Sequence, residues 1–496
     1  MPRFSIDRNL EEMMRSVTKS LILVLCLGTT VGHAQIPYPN PFHHIVVIVQ
    51  ENRTPDNLFH ALLTWPGINP ANYDLASWGV NSKGNLIPLS AVPLGIPYDL
   101  SHAHAAFVAM YDNGKMDGAN NIPCSGTCAT DPQFKYVGNS THDIDPYLTL
   151  AADYGWANAM FQTNQGPSFP AHQFIFGGTS APNALYDQLG IYIAENPGAP
   201  KGAGYNSNSD TGCLAPLGEY NWLINSDGEE TPLTNNPQGT LCFSHDTMAK
   251  LLEEHSLSWK YYAPAMVNPG GANPGGSIWT APNSIRGICQ PNSTYTECQG
   301  PAWTKNVDLK PADVLTDIRA CKLANVNWVI PDGRNSDHAG STTTTGGPSW
   351  VASIVNTIGA DTTCEGGAGY WSDTAIVITW DDWGGWYDHV APTIQSAPQG
   401  DYQYGFRVPM IVVSTYTPKA YVNNVRHDFG SIQRFIEAVN GIPEGSLGFA
   451  DERATGDLRG FFNFDQTPRP FDMISAPLDA NYFINDTRPP EPPDTD

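Results

Sequence analysis

The stretch His44-Ile-Val-Val-Ile-Val-Gln-Glu-Asn-Arg-Thr-Pro-Asp56 decides the fold class. From Ile45 to Val49 every residue is β-branched and apolar. A strand with one wet face alternates apolar and polar residues, whereas a strand covered on both faces runs continuously apolar, as in a parallel sheet between helices. The run then gives way at once to Gln50-Glu51-Asn52-Arg53, so polar and acidic groups stand where the strand ends.

Working outward, the same arrangement recurs. Residues 156–161 read as a weaker strand leading to Gln165-Gly-Pro-Ser168. Residues 326–330 lead to Pro331-Asp-Gly333 and on to Asp337-His338, and 374–379 end in Trp380-Asp381-Asp382. A further strand is predicted at 408–414. Helical patterns fall between them: 143–154 with Asp143 at its start, 245–254 after Ser244 as N-cap, 311–324, 349–357 and 431–439. Strands alternating with helices predict an α/β fold with a mainly parallel sheet. Ligands of such folds bind beyond the carboxyl ends of the strands, where these polar motifs cluster. Residues about 180–242 and 264–310 break the pattern, being rich in Gly, Asn, Pro and Ser, and read as insertions that cap or flank the site. The tail 485–496 is expected to be disordered, and 35–484 to form a single catalytic domain.

Composition agrees with a globular enzyme: 41% hydrophobic and 15% charged residues exclude a disordered chain, and 46 Gly with 42 Pro imply long, stiffened loops. Residues 1–34 have the form of a signal peptide, with Arg15 and Lys19 ahead of an apolar run and a small-x-small site ending at Ala34. Location is accordingly expected to be secreted or periplasmic. Cleavage there removes Cys26 and leaves eight cysteines, an even number that favours disulfides in an exported protein. Cys124–Cys128 and Cys289–Cys298 are plausible local pairs; the remaining pairing stays open. The net charge of −24 disfavours a nucleic-acid partner, and a phosphate-bearing substrate then needs local positive charge that a metal can supply.

Adjacent carboxylates such as Asp381-Asp382 repel each other unless a cation or a shared proton relieves them. Glu51-Asn52 has the same placement, and carboxylate plus amide oxygen suits a hard divalent cation such as Mg²⁺, Ca²⁺ or Mn²⁺ more than Zn²⁺. Ser168, held between Pro167 and Pro170, is a candidate nucleophile, since a cation beside a serine hydroxyl favours its deprotonation. His102 and His338 are candidate proton donors and phosphate contacts. Asp388 and His389 follow the acidic pair closely enough to support it, and the aromatic stretch 383–387 offers an apolar rim for acyl chains, hence a transient contact with a membrane surface.

These motifs, in this order, resemble the bacterial phosphoesterase family that contains phosphatidylcholine-type phospholipases C and an acid phosphatase. The matching pieces are the 44–56 stretch, Asp99-Leu-Ser-His102, Gly114-Lys-Met-Asp-Gly118, Gly166-Pro-Ser168, Ser336-Asp-His338, Trp380-Asp-Asp-Trp-Gly-Gly-Trp-Tyr-Asp-His-Val390 and Arg407-Val-Pro-Met-Ile-Val-Val-Ser414. The resemblance implies an alkaline-phosphatase-like three-layer α/β/α fold with disulfide-bearing insertions. It implies one or more divalent metal ions (Mg, Ca, Mn or Zn) on Glu51, Asn52, Asp381, Asp382 and Ser168. It implies Ser168, His102 and His338 as catalytic residues and a phosphate-ester or phospholipid substrate; His172, Asp337 and His389 are candidate substrate contacts. Where the family continues its nucleophile loop Thr/Ser-x-Pro-Asn-Arg, this chain has Ser168-Phe-Pro-Ala171-His172. That departure supports the competing reading, a secreted binding protein that keeps the fold but is catalytically impaired.

Overall fold

The computed structural model describes residues 40–198, 211–265, 277–340, 344–397 and 400–493. The expected signal peptide 1–34 and Cys26 lie outside the described residues. Eight strands form the central sheet: β1 His44–Gln50, β2 Gly155–Ala157, β3 Trp259–Tyr262, β4 Val307–Asp308, β5 Val326–Val329, β6 Thr374–Trp380, β7 Met410–Val413 and β8 Tyr421–Asn423. Their order across the sheet is β4-β3-β5-β1-β6-β7-β2-β8. From β4 to β6 every neighbouring pair is parallel. β7 runs antiparallel to both β6 and β2, and β8 pairs with β2 in parallel.

β1 and β6 are buried at every residue, as their unbroken apolar runs require. Helices form a layer on each side of the sheet. One group joins α1 Asp145–Asp153, α4 Asp313–Arg319 and α5 Gly346–Gly359, and the other α2 Ser168–Gly177, α3 Met248–Glu254 and α6 Phe429–Val439. The result is the expected three-layer α/β/α arrangement with a mainly parallel sheet.

Several local expectations are corrected. The second strand is only Gly155–Ala157, although Met160 and Phe161 still bridge to His427 and Arg407. Helix α1 starts at Asp145, because Asp143 accepts the Thr141 hydroxyl at 2.6 Å instead of capping. Thr247, not Ser244, caps α3 by accepting from the Lys250 N–H. Asp428 caps α6 in a reciprocal box with Ser431. Near the end of the described chain, Gly333 N–H donates to the Glu491 carbonyl at 3.0 Å, and Glu491 N–H to Asp332 at 3.3 Å.

All eight cysteines beyond residue 34 are paired: Cys124–Cys128, Cys213–Cys242, Cys289–Cys298 and Cys321–Cys364. The first and third are the local pairs the spacing suggests. No helix among the described residues is long and apolar enough to cross a membrane.

Candidate active site

The parallel register of β1 and β6 places Gln50 opposite Trp380, so Glu51 and Asp381 leave the sheet side by side. Asp381 N–H donates to the Gln50 carbonyl at 2.9 Å, and Arg53 N–H to the Asp382 carbonyl at 2.9 Å, which continues the pairing past the strand ends. Asn52 takes a left-handed backbone, φ 62°, a conformation that asparagine tolerates better than most residues. Its N–H donates to Asp381 Oδ1 at 3.0 Å. Gly384 and Gly385, also left-handed, fold the next loop back over this turn. A Cβ on Gly384 would stand 2.5 Å from the Asn52 carbonyl oxygen, and one on Gly385 2.5 Å from Leu100 Cβ.

Ser168 is the first residue of α2, with Pro167 at the N-cap position. The sequence suggests a stiff loop here, but Pro170 falls in the first helical turn, where a missing N–H removes no helical bond. Gly166 has no room for a side chain, since a Cβ would meet the Ala194 carbonyl oxygen at 2.0 Å. Asn164 Nδ2 donates to the carbonyls of Gly166 and Pro167 at 2.7 and 3.1 Å. Gln162 donates through Nε2 to Gly166 at 3.0 Å and accepts through Oε1 from the Trp383 N–H at 3.0 Å. One side chain therefore ties the serine loop to the acidic loop.

Ser168 Oγ lies 3.1 Å from Asp382 Oδ2, 3.4 Å from Glu51 Oε2 and 3.5 Å from Asn52 Oδ1. Asn52 Nδ2 points the other way, 3.1 Å from His102 Nε2 and 2.9 Å from His338 Nε2. Both rings have Nδ1 against a carbonyl, Leu100 at 2.9 Å and Ala339 at 2.7 Å. A carbonyl only accepts, so Nδ1 carries a proton in each ring and Nε2 is turned to the Asn52 amide.

Glu51, Asp381 and Asp382 are fully buried. Burial, reinforced by Asp381, pushes both Glu51 and Asp382 well above the usual carboxylate range. Burial also acts on Asp381, but the His172 ring and hydrogen bonds from its neighbours outweigh it and hold this carboxyl low. Burial opposes charge on His102, yet Asp382 and Asp99 raise it to about 9. Among the described residues the only basic side chain within ion-pair distance of Glu51 and Asp381 is His172, and burial lowers this ring to about 4, so it stands there as a neutral imidazole near neutral pH. The Arg53 guanidinium is turned away, onto the Asp337 carbonyl, Asn57 and Leu94. Asp381 Oδ2 has no hydrogen-bond donor. A dry cluster of three carboxyls, an amide oxygen and a hydroxyl, with one oxygen unpartnered, fits a divalent cation.

Two expected site residues go elsewhere. His389 pairs with Asp56 at 2.8 Å and Asp74 at 3.2 Å, beside the bidentate Arg407–Asp388 pair, and its ring takes no part in the cluster. The Asp337 carboxylate accepts from Tyr147 at 2.6 Å and Trp380 at 3.2 Å, so it braces the sheet end. His172 does reach the cluster, through Glu51 Oε1 at 3.0 Å. The aromatic stretch 383–387 does not form a rim: Trp383 and Trp386 are 0% exposed, packed on Phe406 and Tyr98. Sequence reading missed Gln162, Asn164 and Trp279. Trp279, from the second insertion, lies over both the His172 and His338 rings at centroid distances of 6.4 and 6.2 Å. Only the insertion's expected flanking position hinted at it.

Comparison with known proteins finds the following relatives. The chain is similar to phospholipase C A of Mycobacterium tuberculosis, 25% identical over 86% of this chain and 78% of the relative. It is also similar to the non-hemolytic phospholipase C of Pseudomonas aeruginosa, 24% identical over 89% of this chain but 60% of that longer protein. Among solved structures, an alkaline phosphatase superfamily protein from Vibrio parahaemolyticus matches with a TM-score of 0.31 and 10% identity over 83% of this chain and 71% of that one. The model of the Phosphoesterase family matches residues 42–443, every residue of the cluster included. This chain, a hydrolase of ester bonds, belongs to the Phosphoesterase family.

Proposed function

We propose that the protein is an exported, cation-dependent phosphoesterase that cleaves phosphoric esters through Ser168, with residues 1–34 as its leader and 35–484 as one catalytic domain. The observation that carries this reading is the position of Ser168 Oγ, within 3.1–3.5 Å of Asp382, Glu51 and Asn52 oxygens. Those residues, with Asp381, would hold a divalent cation. Such an ion supplies charge neutralisation for a phosphate and favours the serine alkoxide.

In the first step Ser168 Oγ bonds to phosphorus, the ester P–O bond breaks, and the alcohol leaves with a proton. His102 and His338 meet the Asn52 amide through Nε2; in their doubly protonated form they can contact phosphate oxygens and deliver that proton. In the second step water adds to the phosphoserine, and Ser168 leaves as the free hydroxyl. The positive end of α2 at Ser168 favours the anion in both steps.

The names of the relatives, phospholipases C, put phosphodiester lipids beside simple phosphomonoesters as substrate classes. Against the binding-protein reading, Ala171 packs into the core from α2, and His172, where the family pattern has its arginine, still reaches Glu51 at 3.0 Å. The test is turnover of p-nitrophenyl phosphate, p-nitrophenylphosphorylcholine and phosphatidylcholine, with and without chelator. Turnover of any of them that chelation abolishes supports the proposal. Absence of turnover by cation-loaded protein sinks it.

A further inference from the structure

We propose that His172 is a nitrogen ligand of the cation held by Glu51 and Asp381, giving this centre a preference for imidazole-binding transition ions over Mg²⁺ and Ca²⁺. The proposal rests on the cation reading above and deepens it.

His172 lies four residues after Ser168 on α2, and that spacing puts the two side chains on one helix face, one turn apart. Its Nε2 is 3.0 Å from Glu51 Oε1 and 3.8 Å from Asp381 Oδ2. These three donor atoms lie within 4.8 Å of one another, and all three residues are buried. Ligands about 2.0–2.2 Å from a common ion stand roughly 3–4 Å apart, so the spacing is that of neighbours in one coordination shell. Asp381 Oδ2, the atom facing His172, has no hydrogen-bond donor. The Trp279 ring lies at 25° to the imidazole with centroids 6.4 Å apart, and the His172 side chain is fully buried, which limits the ring's freedom to turn away.

The chemistry of the donor set changes accordingly. Carboxylate, amide and hydroxyl oxygens alone favour hard ions. An imidazole among them favours ions later in the first transition row, whose affinity for nitrogen exceeds that of Mg²⁺ or Ca²⁺. The oxygens named from sequence are thus joined by a residue that sequence reading assigned to the substrate.

The deciding measurement is electron spin-echo modulation of the protein loaded with Mn²⁺ alone, alongside Co²⁺ and Ca²⁺ titrations of wild type, His172→Asn and His172→Gln. The expected result is ¹⁴N coupling in wild type that disappears in a folded His172 variant, with Co²⁺ affinity at least about tenfold weaker and Ca²⁺ affinity within about twofold. Wild type that binds Mn²⁺ without ¹⁴N coupling overturns the proposal and leaves the cation reading standing. Coupling that persists in a variant with native circular dichroism also overturns it. Failure of wild type to bind any of the three ions removes both. Should neither variant fold, the wild-type spectrum compared with that of His338→Ala decides: the coupling is expected in both, and its loss from His338→Ala assigns the nitrogen to His338 and overturns the proposal.

Discussion

Asn52 donates its backbone N–H to the Asp381 carboxylate at 3.0 Å, joining residues 329 positions apart in sequence. The same asparagine turns its amide nitrogen to His102 and His338 and its amide oxygen to Ser168. One residue therefore links the acidic cluster, the nucleophile and both candidate acids. Asn52→Ala is expected to lower kcat by at least about a hundredfold, because several orientations fail together. Steady-state kinetics with p-nitrophenyl phosphate measures this; a loss under about threefold would show that the asparagine orients nothing.

Ser168→Ala is expected to abolish turnover by about four orders of magnitude while leaving the fold intact. Rapid quench with ³²P-labelled substrate should trap phosphoserine in wild type and none in the variant. A variant that still turns over at near-normal rate identifies a different nucleophile.

The acidic cluster makes stability depend on pH in a definite direction. Glu51 and Asp382 have pKa values raised above those of the unfolded chain. Their contribution is present below the unfolded pKa and is lost as pH rises through the raised folded value. Chelated protein should therefore show a Tm that falls as pH rises above the unfolded carboxylate range of about 4–4.5, and saturating divalent cation should remove most of the fall. Asp382→Asn should flatten the chelated profile. Thermal melts at a series of pH values, with and without cation, check all three statements.

Gly384→Ala places a methyl group against the Asn52 carbonyl at 2.5 Å, on a backbone with φ 62°. We expect a loss of about 1–3 kcal/mol in urea unfolding, together with a fall in kcat, because the displaced element is Asn52 itself. Alanine at Gly366, whose φ is also positive but which has open space around it, should reduce stability alone.

His389→Ala should leave kcat within about twofold, since its ring serves Asp56 and Asp74 outside the cluster. Burial opposes charge on this histidine, but Asp56 outweighs it and lifts the ring to about 9. The stabilisation it gives is complete below the unfolded pKa of about 6.5 and is lost as pH rises through about 9. The variant should accordingly differ from wild type in Tm near neutral pH and converge with it in alkali.

What was legible from sequence follows from how locally each feature is encoded. β1 and β6 declare themselves because strands covered on both faces must be apolar at every position, and Glu51 and Asp381 are found by where those runs stop. Strand β3, Trp259–Tyr262, holds a lysine among aromatics and has no such signature. Pro170 reads as a helix breaker until its place in the first turn of α2 is known. Trp383 and Trp386 read as surface aromatics in a glycine turn; their burial depends on Phe406 and Tyr98, far away in sequence. The fate of His389 likewise depends on Asp56, which only the folded chain brings alongside it.

The pairing of β1 with β6 also fixes when the protein can first act. A ribosome must pass residue 382 of 496 before the last acidic group of the cluster exists, and the serine made long before has until then no complete partner set. On the proposed mechanism, chains that stop short of Asp382 are expected to be silent toward phosphate esters however much of their sheet has formed. If both acidic pairs are needed, the onset of hydrolysis during refolding would mark the moment at which the first and sixth strands of the central sheet close on each other.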